Sequence, residues 1–328
     1  MKWIRPFSVR VVAPRRDTAL TSGNRSDTIL AAAKPRFVIV HYHIFKNGGS
    51  TIESILQREF HRGFATLHGA HASSALDGKQ LISFLRRNPE ITAVSSHHLR
   101  YPKPVVRNTV LFDCCFLRHP LARLDSLYRY LRGINSPDPL CARARVQSPG
   151  EFFRLLMNES PHLVSNVQVT QLACSGEFIR PAYQGDLDRA ATRFAEMAIP
   201  GVVEMFDESL VAAEYFLKPA FPNVTWEYAP QNVSRAVGTA VLPSSRSQGE
   251  HLSNRWGLDT YEDLVQLNQL DLDLFRMAQE EIRRRISLVP GAAHKMADFR
   301  RRCAQLQGQT DLAKQDLASP RVRRSAQA

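Results

Sequence analysis

The chain has 328 residues, a formal charge of +12 at pH 7 and 44% hydrophobic residues. That is enough to bury the core of one large α/β domain or two ordinary ones, and too apolar for a disordered or fibrous chain. No stretch approaches the ~20 apolar residues of a membrane span. The positive excess sits at the two ends: residues 1–36 carry +6 and residues 295–328 carry +5, which leaves +1 between them. This distribution gives no support to a nucleic-acid-binding domain and reads as two solvated, mobile tails. Five cysteines without CxxC spacing imply no structural zinc. Cys114 and Cys115, adjacent in an apolar run, should point to opposite faces of a strand as buried free thiols in a reduced compartment. The Arg-rich start lacks the apolar core of a secretory signal.

In chain order, residues 1–35 mix Arg, Pro, Ser, Thr and Gly without sustained periodicity and form an extension. Arg36–His43 is a buried strand, β-branched and aromatic. A Gly-Gly turn follows, and Ile52, Ile55, Leu56 and Phe60 then mark one face of a helix. Ile91–Ser96 and Thr109–Leu117 are further apolar strands. Pro120 opens a helix, where its missing N–H costs nothing, and Leu121, Leu124, Leu127 and Leu131 give that helix its stripe. Beyond residue 133 the pattern predicts helices over about 149–158, 184–198 and 207–217, with a short strand Gly201–Met205. Residues 229–250 read as a long surface loop. Asp259 with Glu262 resembles a capping box that opens a long helix over 259–286. Recurrent strand–turn–helix units predict an α/β domain, residues 36–290, with a central parallel sheet flanked by helices. Residues 291–328 form a basic C-terminal tail.

Two segments carry chemistry. His43-Ile-Phe-Lys-Asn-Gly-Gly-Ser-Thr51 joins the first strand to a helix, where backbone N–H groups and the helix dipole favour an anion. Gly48 and Gly49 admit close backbone approach, Ser50 and Thr51 offer hydroxyls, and Lys46 adds a mobile charge. A Walker A loop places its lysine after the glycines. Here Lys46 precedes them, which argues against a standard ATPase or GTPase loop. In the second segment, Phe116-Leu-Arg-His-Pro-Leu-Ala-Arg-Leu-Asp-Ser-Leu-Tyr128, Arg118 ends a strand and can fork onto a phosphate. Ser126 donates a hydroxyl from the following helix, and Arg123, Ser126 and Tyr130 share the face opposite the leucine stripe.

Ile44-Phe-Lys-Asn-Gly-Gly-Ser-Thr51 resembles the 5′-phosphosulfate loop of sulfotransferases that use 3′-phosphoadenosine 5′-phosphosulfate (PAPS). Their carbohydrate branch, typified by heparan sulfate O-sulfotransferases, shows a Pro-Lys-Thr-Gly-Gly-Thr/Ser-Thr pattern. This chain has Phe45 for the proline and Asn47 for the first threonine. The second segment resembles the family's 3′-phosphate pattern L-R-D-P-x-x-R-x-x-S-x-Y, with Arg118 and Ser126 at the required spacing and His119 in the place of the acid. Asn166-Val-Gln-Val-Thr-Gln-Leu172, Val202-Val-Glu-Met-Phe-Asp-Glu-Ser209, Asn232-Val-Ser234 and Leu270-Asp-Leu-Asp-Leu-Phe275 resemble shorter family segments in the same order.

The resemblance implies a P-loop NTPase-like three-layer sulfotransferase fold, PAPS as co-substrate, a carbohydrate or glycan acceptor and no metal. It places Lys46, Asn47, Gly48, Gly49, Ser50, Thr51, Arg118 and Ser126 on the donor, with Lys46 at the leaving oxygen. In the heparan sulfate enzymes a histidine between the two donor segments acts as base. His98 aligns with it best, with His97 the fallback and Glu53 the candidate if neither serves. His41 and His43, in or at the end of a strand, read as structural. Animal relatives are often Golgi proteins anchored by an N-terminal span. Without one, this chain is expected to be a soluble cytoplasmic enzyme. A P-loop nucleotide kinase or NTPase, and a non-catalytic nucleotide- or glycan-binding relative, are the competing readings.

Overall fold

The computed structural model describes residues 35–71, 74–174, 180–229 and 245–318. The predicted N-terminal extension, most of the predicted 229–250 loop and Asn232–Ser234 lie outside them. Five parallel strands, β1 (Arg36–Tyr42), β2 (Phe64–Thr66), β3 (Ala93–Ser96), β4 (Thr109–Leu117) and β5 (Ile199–Val202), form the described sheet in the order β2-β3-β1-β4-β5. β1 is central, with Ile39 opposite Ala93 of β3 and opposite Phe112 of β4. Such a sheet is covered on both faces, so its strands are near-continuous apolar runs, and all four residues of β3 and five of the seven of β1 are buried.

The period-2 alternation sorts β1 between two cores. Val38, Val40 and Tyr42 face a layer built from α2 (Gly78–Arg87), α6 (Val167–Ala173), α7 (Gln184–Glu196) and α11 (Gln269–Ser287), with Val94, Cys115, Leu172, Phe194 and Leu274 packed among them. Ile39 faces the other layer, of α1 (Gly49–Phe60), α8 (Phe206–Leu217) and α12 (Ala292–Ala318), together with Ile52, Cys114, Leu210 and Phe299. Cys114 and Cys115 thus part to opposite faces, both buried and unbridged. A third core, centred on Tyr128, Phe152, Phe153 and Trp256, joins α3 (Pro120–Gly133), α4 (Pro139–Val146), α5 (Pro149–Glu159), α9 (Ser245–Trp256) and α10 (Leu258–Leu267). Among the described residues no helix is long and apolar enough to cross a membrane.

Four expectations change. The predicted helix 259–286 is two helices, α10 and α11. At the break, buried Asn268 donates its side-chain amide to the carbonyls of Val164 and Leu264, and side chain–backbone bonds of this kind compete with a continuous helix. The Asp259–Glu262 capping box does not form. α10 begins after Gly257, whose φ of 82° is left-handed, and no side chain caps it. The strand predicted at 201–205 is β5, two residues earlier; it contains Pro200, which an edge strand paired only to β4 accommodates. The basic C-terminal tail also holds a helix over most of its length. Residues 292–318 form α12, which buries Phe299 completely and pairs Arg302 with Glu214 and Glu227.

Candidate functional site

The β1–α1 turn and the β4–α3 turn meet at the carboxyl edge of the sheet, where open α/β sheets bind ligands. α1 begins at Gly49, and Gly48 before it is left-handed (φ 74°) with no side chain capping the first turn. The turn holds its shape through three anchors. Lys46 has φ 69°, outside the usual region for a residue with a Cβ, and its carbonyl accepts from Arg118 Nη1 at 3.0 Å. Asn47 donates from Nδ2 to the Phe116 carbonyl and to Gln168 Oε1, both at 2.8 Å. Gln168 in turn accepts from the Arg118 N–H and donates to the Arg118 carbonyl. One glutamine therefore locks the two turns together.

The weaker sequence segments supply the next layer. Asp271 accepts from the N–H groups of Gln168 and Val169, capping α6, while the Asp271 N–H donates to Asn166 Oδ1. Glu204 Oε1 accepts from the His119 N–H. Ser209 Oγ donates to the Met205 carbonyl and accepts from the Val202 N–H.

A cavity of about 560 Å³ opens at this edge, lined by Lys46, Gly48, Gly49, Ser50, Thr51, Arg118 and Ser126, together with His43, Glu53, His97, Arg129 and Tyr130. Seven of the eight predicted donor residues therefore converge. Asn47 does not line the cavity. Its side chain is buried and its amide hydrogens are committed to Phe116 and Gln168, so it shapes the turn instead of touching a ligand. Arg123 also leaves the predicted face: it is buried and donates to the Leu163 carbonyl.

The cavity is cationic. Burial, then Arg118 and Arg129, bring the Lys46 ammonium down to about 8, and its Nζ lies 4.1 Å from the centre of the Tyr130 ring. Arg118 Nε is buried without a hydrogen-bond partner. An unfilled buried donor beside an uncapped helix N-terminus and a lysine is the donor set that an anionic phosphate group satisfies.

The histidines rearrange the sequence reading. His98, the predicted base, does not line the cavity; its Nδ1 accepts from the Gly69 N–H at 2.7 Å and its ring meets His68 edge-on. Its neighbour His97 lines the cavity instead. His97 Nδ1 faces the His43 carbonyl at 3.2 Å, which places the proton on Nδ1. Burial, then His43, hold the His97 imidazole down to about 4, so it is neutral at pH 7.

His43, read as structural, also lines the cavity, with its ring 3.6 Å from that of His97. Its Nδ1 faces Glu53 Oε1 at 3.0 Å. Ser95 Oγ donates to the same carboxylate at 2.8 Å and lies 2.9 Å from His41 Nδ1. Burial alone would raise the Glu53 carboxyl, but the His43 hydrogen bond and charge outweigh it and bring it to about 2. Burial first, and then His43, keep His41 well below the ordinary histidine range. His41, His43 and Glu53 each offer one ligand-type atom within 4.8 Å of the others. In the hydrogen-bonded chain, His41 Nδ1, His43 Nδ1 and Glu53 Oε1 are engaged with one another or with Ser95. The signal that could have found it is the H-x-H spacing on one strand face, with a glutamate on the helix that packs there.

No protein-family model matches the chain. An uncharacterized protein of Archaeoglobus fulgidus is similar to it, 26% identical over 249 residues that cover 73% of this chain and 95% of the relative.

Proposed function

We propose that the protein is a PAPS-dependent sulfotransferase that moves a sulfuryl group to a hydroxyl of a carbohydrate acceptor. The observation that carries this reading is the convergence on one cavity of two separate segments: the lysine–glycine turn with Lys46, Gly48 and Gly49, and the β4–α3 segment with Arg118 and Ser126. In this reading the first-turn N–H groups of α1 and the Ser50 and Thr51 hydroxyls hold the 5′-phosphosulfate. Arg118 and Ser126 hold the 3′-phosphate, and Lys46 meets the charge that develops on the leaving phosphate oxygen. Positioning and electrostatics carry most of the barrier in the closely related phosphoryl transfers.

The order of the turn favours this over a nucleotide kinase, since Lys46 stands before the glycines. Incubation with ³⁵S-labelled PAPS and a panel of neutral and uronic-acid oligosaccharides tests it. Label should appear in an oligosaccharide as adenosine 3′,5′-bisphosphate accumulates. Phosphate transfer from ATP to those acceptors, with no label transferred from PAPS, would overturn it.

A further inference from the structure

Resting on that reading, we infer that His43 is the general base for the acceptor hydroxyl and that Glu53 behind it is the positioning residue that makes it one. Ser95 Oγ donates to Glu53 Oε1, so its oxygen accepts from His41 Nδ1–H, and His43 Nδ1–H donates to the same carboxylate. Both ring tautomers are thereby fixed. His43 is left with a bare Nε2, which makes no hydrogen bond among the described residues.

That nitrogen belongs to the donor loop. A Cβ built on Gly49 would lie 1.7 Å from His43 Nε2, so the imidazole occupies space that only a glycine leaves open. The base atom therefore touches the turn that holds the 5′-phosphosulfate. The groups facing His43 are His41 on β1, Glu53 on α1 and His97 after β3, with Lys46, Arg118 and Arg129 around the same cavity.

Of the two cavity histidines, His97 has a neutral carbonyl behind Nδ1 and His43 has a carboxylate. A carboxylate in that position holds the productive tautomer and stabilises the imidazolium formed on proton uptake. In the transfer, the acceptor O–H proton passes to His43 Nε2 while an oxygen lone pair forms the new bond to sulfur. The bond from sulfur to the 5′-phosphate oxygen breaks, and its electron pair leaves with that oxygen beside Lys46. The His43 imidazolium then returns its proton to water.

Two measurements test this. In ¹⁵N-histidine NMR spectra of the protein with adenosine 3′,5′-bisphosphate at pH 7.5, His43 should be the Nδ1–H tautomer with Nε2 unprotonated. A proton on Nε2 overturns the assignment. In ³⁵S transfer to the best oligosaccharide of the panel, His43→Asn should lower kcat by ~10²–10⁴-fold with little change in affinity for adenosine 3′,5′-bisphosphate. Glu53→Gln should lower kcat by about 10-fold or more with KM for PAPS nearly unchanged, and Glu53→Asp, which keeps the carboxylate, should recover part of the loss. A merely structural glutamate would move kcat and KM together and show no preference for the retained carboxylate.

His97→Asn should cost less than tenfold, and His98→Asn, outside the cavity, less than twofold. Transfer by the wild type with His43→Asn retaining more than a third of kcat sinks the base assignment and leaves the sulfotransferase reading standing. Loss of activity to a chelator, restored by one divalent ion, overturns the assignment by giving these side chains to a metal. A wild type that transfers no sulfate to any acceptor removes both readings.

Discussion

Acidification should unfold this protein early, and His97 is the residue through which to see it. Its imidazole is held down to about 4 from 6.5, by burial first and the neighbouring His43 second. A histidine whose folded value is depressed binds its proton in the unfolded chain first. Its contribution is therefore intact above the unfolded value near 6.5 and is lost as pH falls from there toward 4. At pH 5 the unfolded chain holds that proton almost fully and the folded chain hardly at all, which from the 2.5-unit displacement gives a loss of about 2 kcal/mol relative to pH 7. Glu53 does not contribute there, since its depressed carboxyl stabilises the fold above about 4.5 and yields only as pH falls toward 2. Urea midpoints at pH 7 and pH 5, for the wild type and for His97→Phe, measure the difference. Phe keeps a ring against His43, 3.6 Å away in the wild type, and removes the titration. The variant should lose about 2 kcal/mol less than the wild type over this interval; His41, also depressed, remains in both chains. Identical losses would refute the reasoning, because they would mean that His97 binds its proton as readily folded as unfolded.

Gly49→Ala should be severe, since its Cβ would lie 1.7 Å from His43 Nε2; we expect at least ~1–3 kcal/mol of destabilisation in thermal unfolding from the forced overlap, with turnover lost in the folded fraction. Asn47→Ala should cost ~1–3 kcal/mol by removing two buried hydrogen bonds, to the Phe116 carbonyl and to Gln168 Oε1, and should weaken adenosine 3′,5′-bisphosphate in calorimetry although Asn47 does not line the cavity. Lys46→Ala should lower kcat for ³⁵S transfer by roughly 10²–10³-fold while changing affinity for the bisphosphate much less, because its partner charge grows in the transition state.

Arg36–Tyr42 and Pro120–Gly133 were readable in the sequence because a β-branched run and a proline followed by a leucine stripe each admit one structure. β2 was not, since Phe64–Thr66 is too short to show alternation. α12 was hidden by its charges. Its arginines read as a solvated tail, whereas Arg302 is absorbed by Glu214 and Glu227, residues far away in sequence. The cavity residues from Lys46 to Thr51 and from Arg118 to Ser126 were legible as two local patterns, and the fold joins them. The choice between His97 and His98 was not, because β3 ends at Ser96 and the period that sorts side chains between faces ends with it. The contact of His43 with Glu53, and of Glu53 with Ser95, was not legible either, because α1 and β3 are brought together only by the fold.

A PAPS-dependent enzyme of the proposed kind must bind a 3′-phosphate at Arg118. Isothermal titration with adenosine 3′,5′-bisphosphate, adenosine 5′-monophosphate and ATP, on the wild type and Arg118→Ala, tests it. The bisphosphate should bind the wild type far more tightly than the other two, and Arg118→Ala should weaken it by ~1.5–3 kcal/mol, the range for a hydrogen bond to a charged group. Equal affinity of the wild type for all three nucleotides, or full bisphosphate affinity in Arg118→Ala, would contradict it.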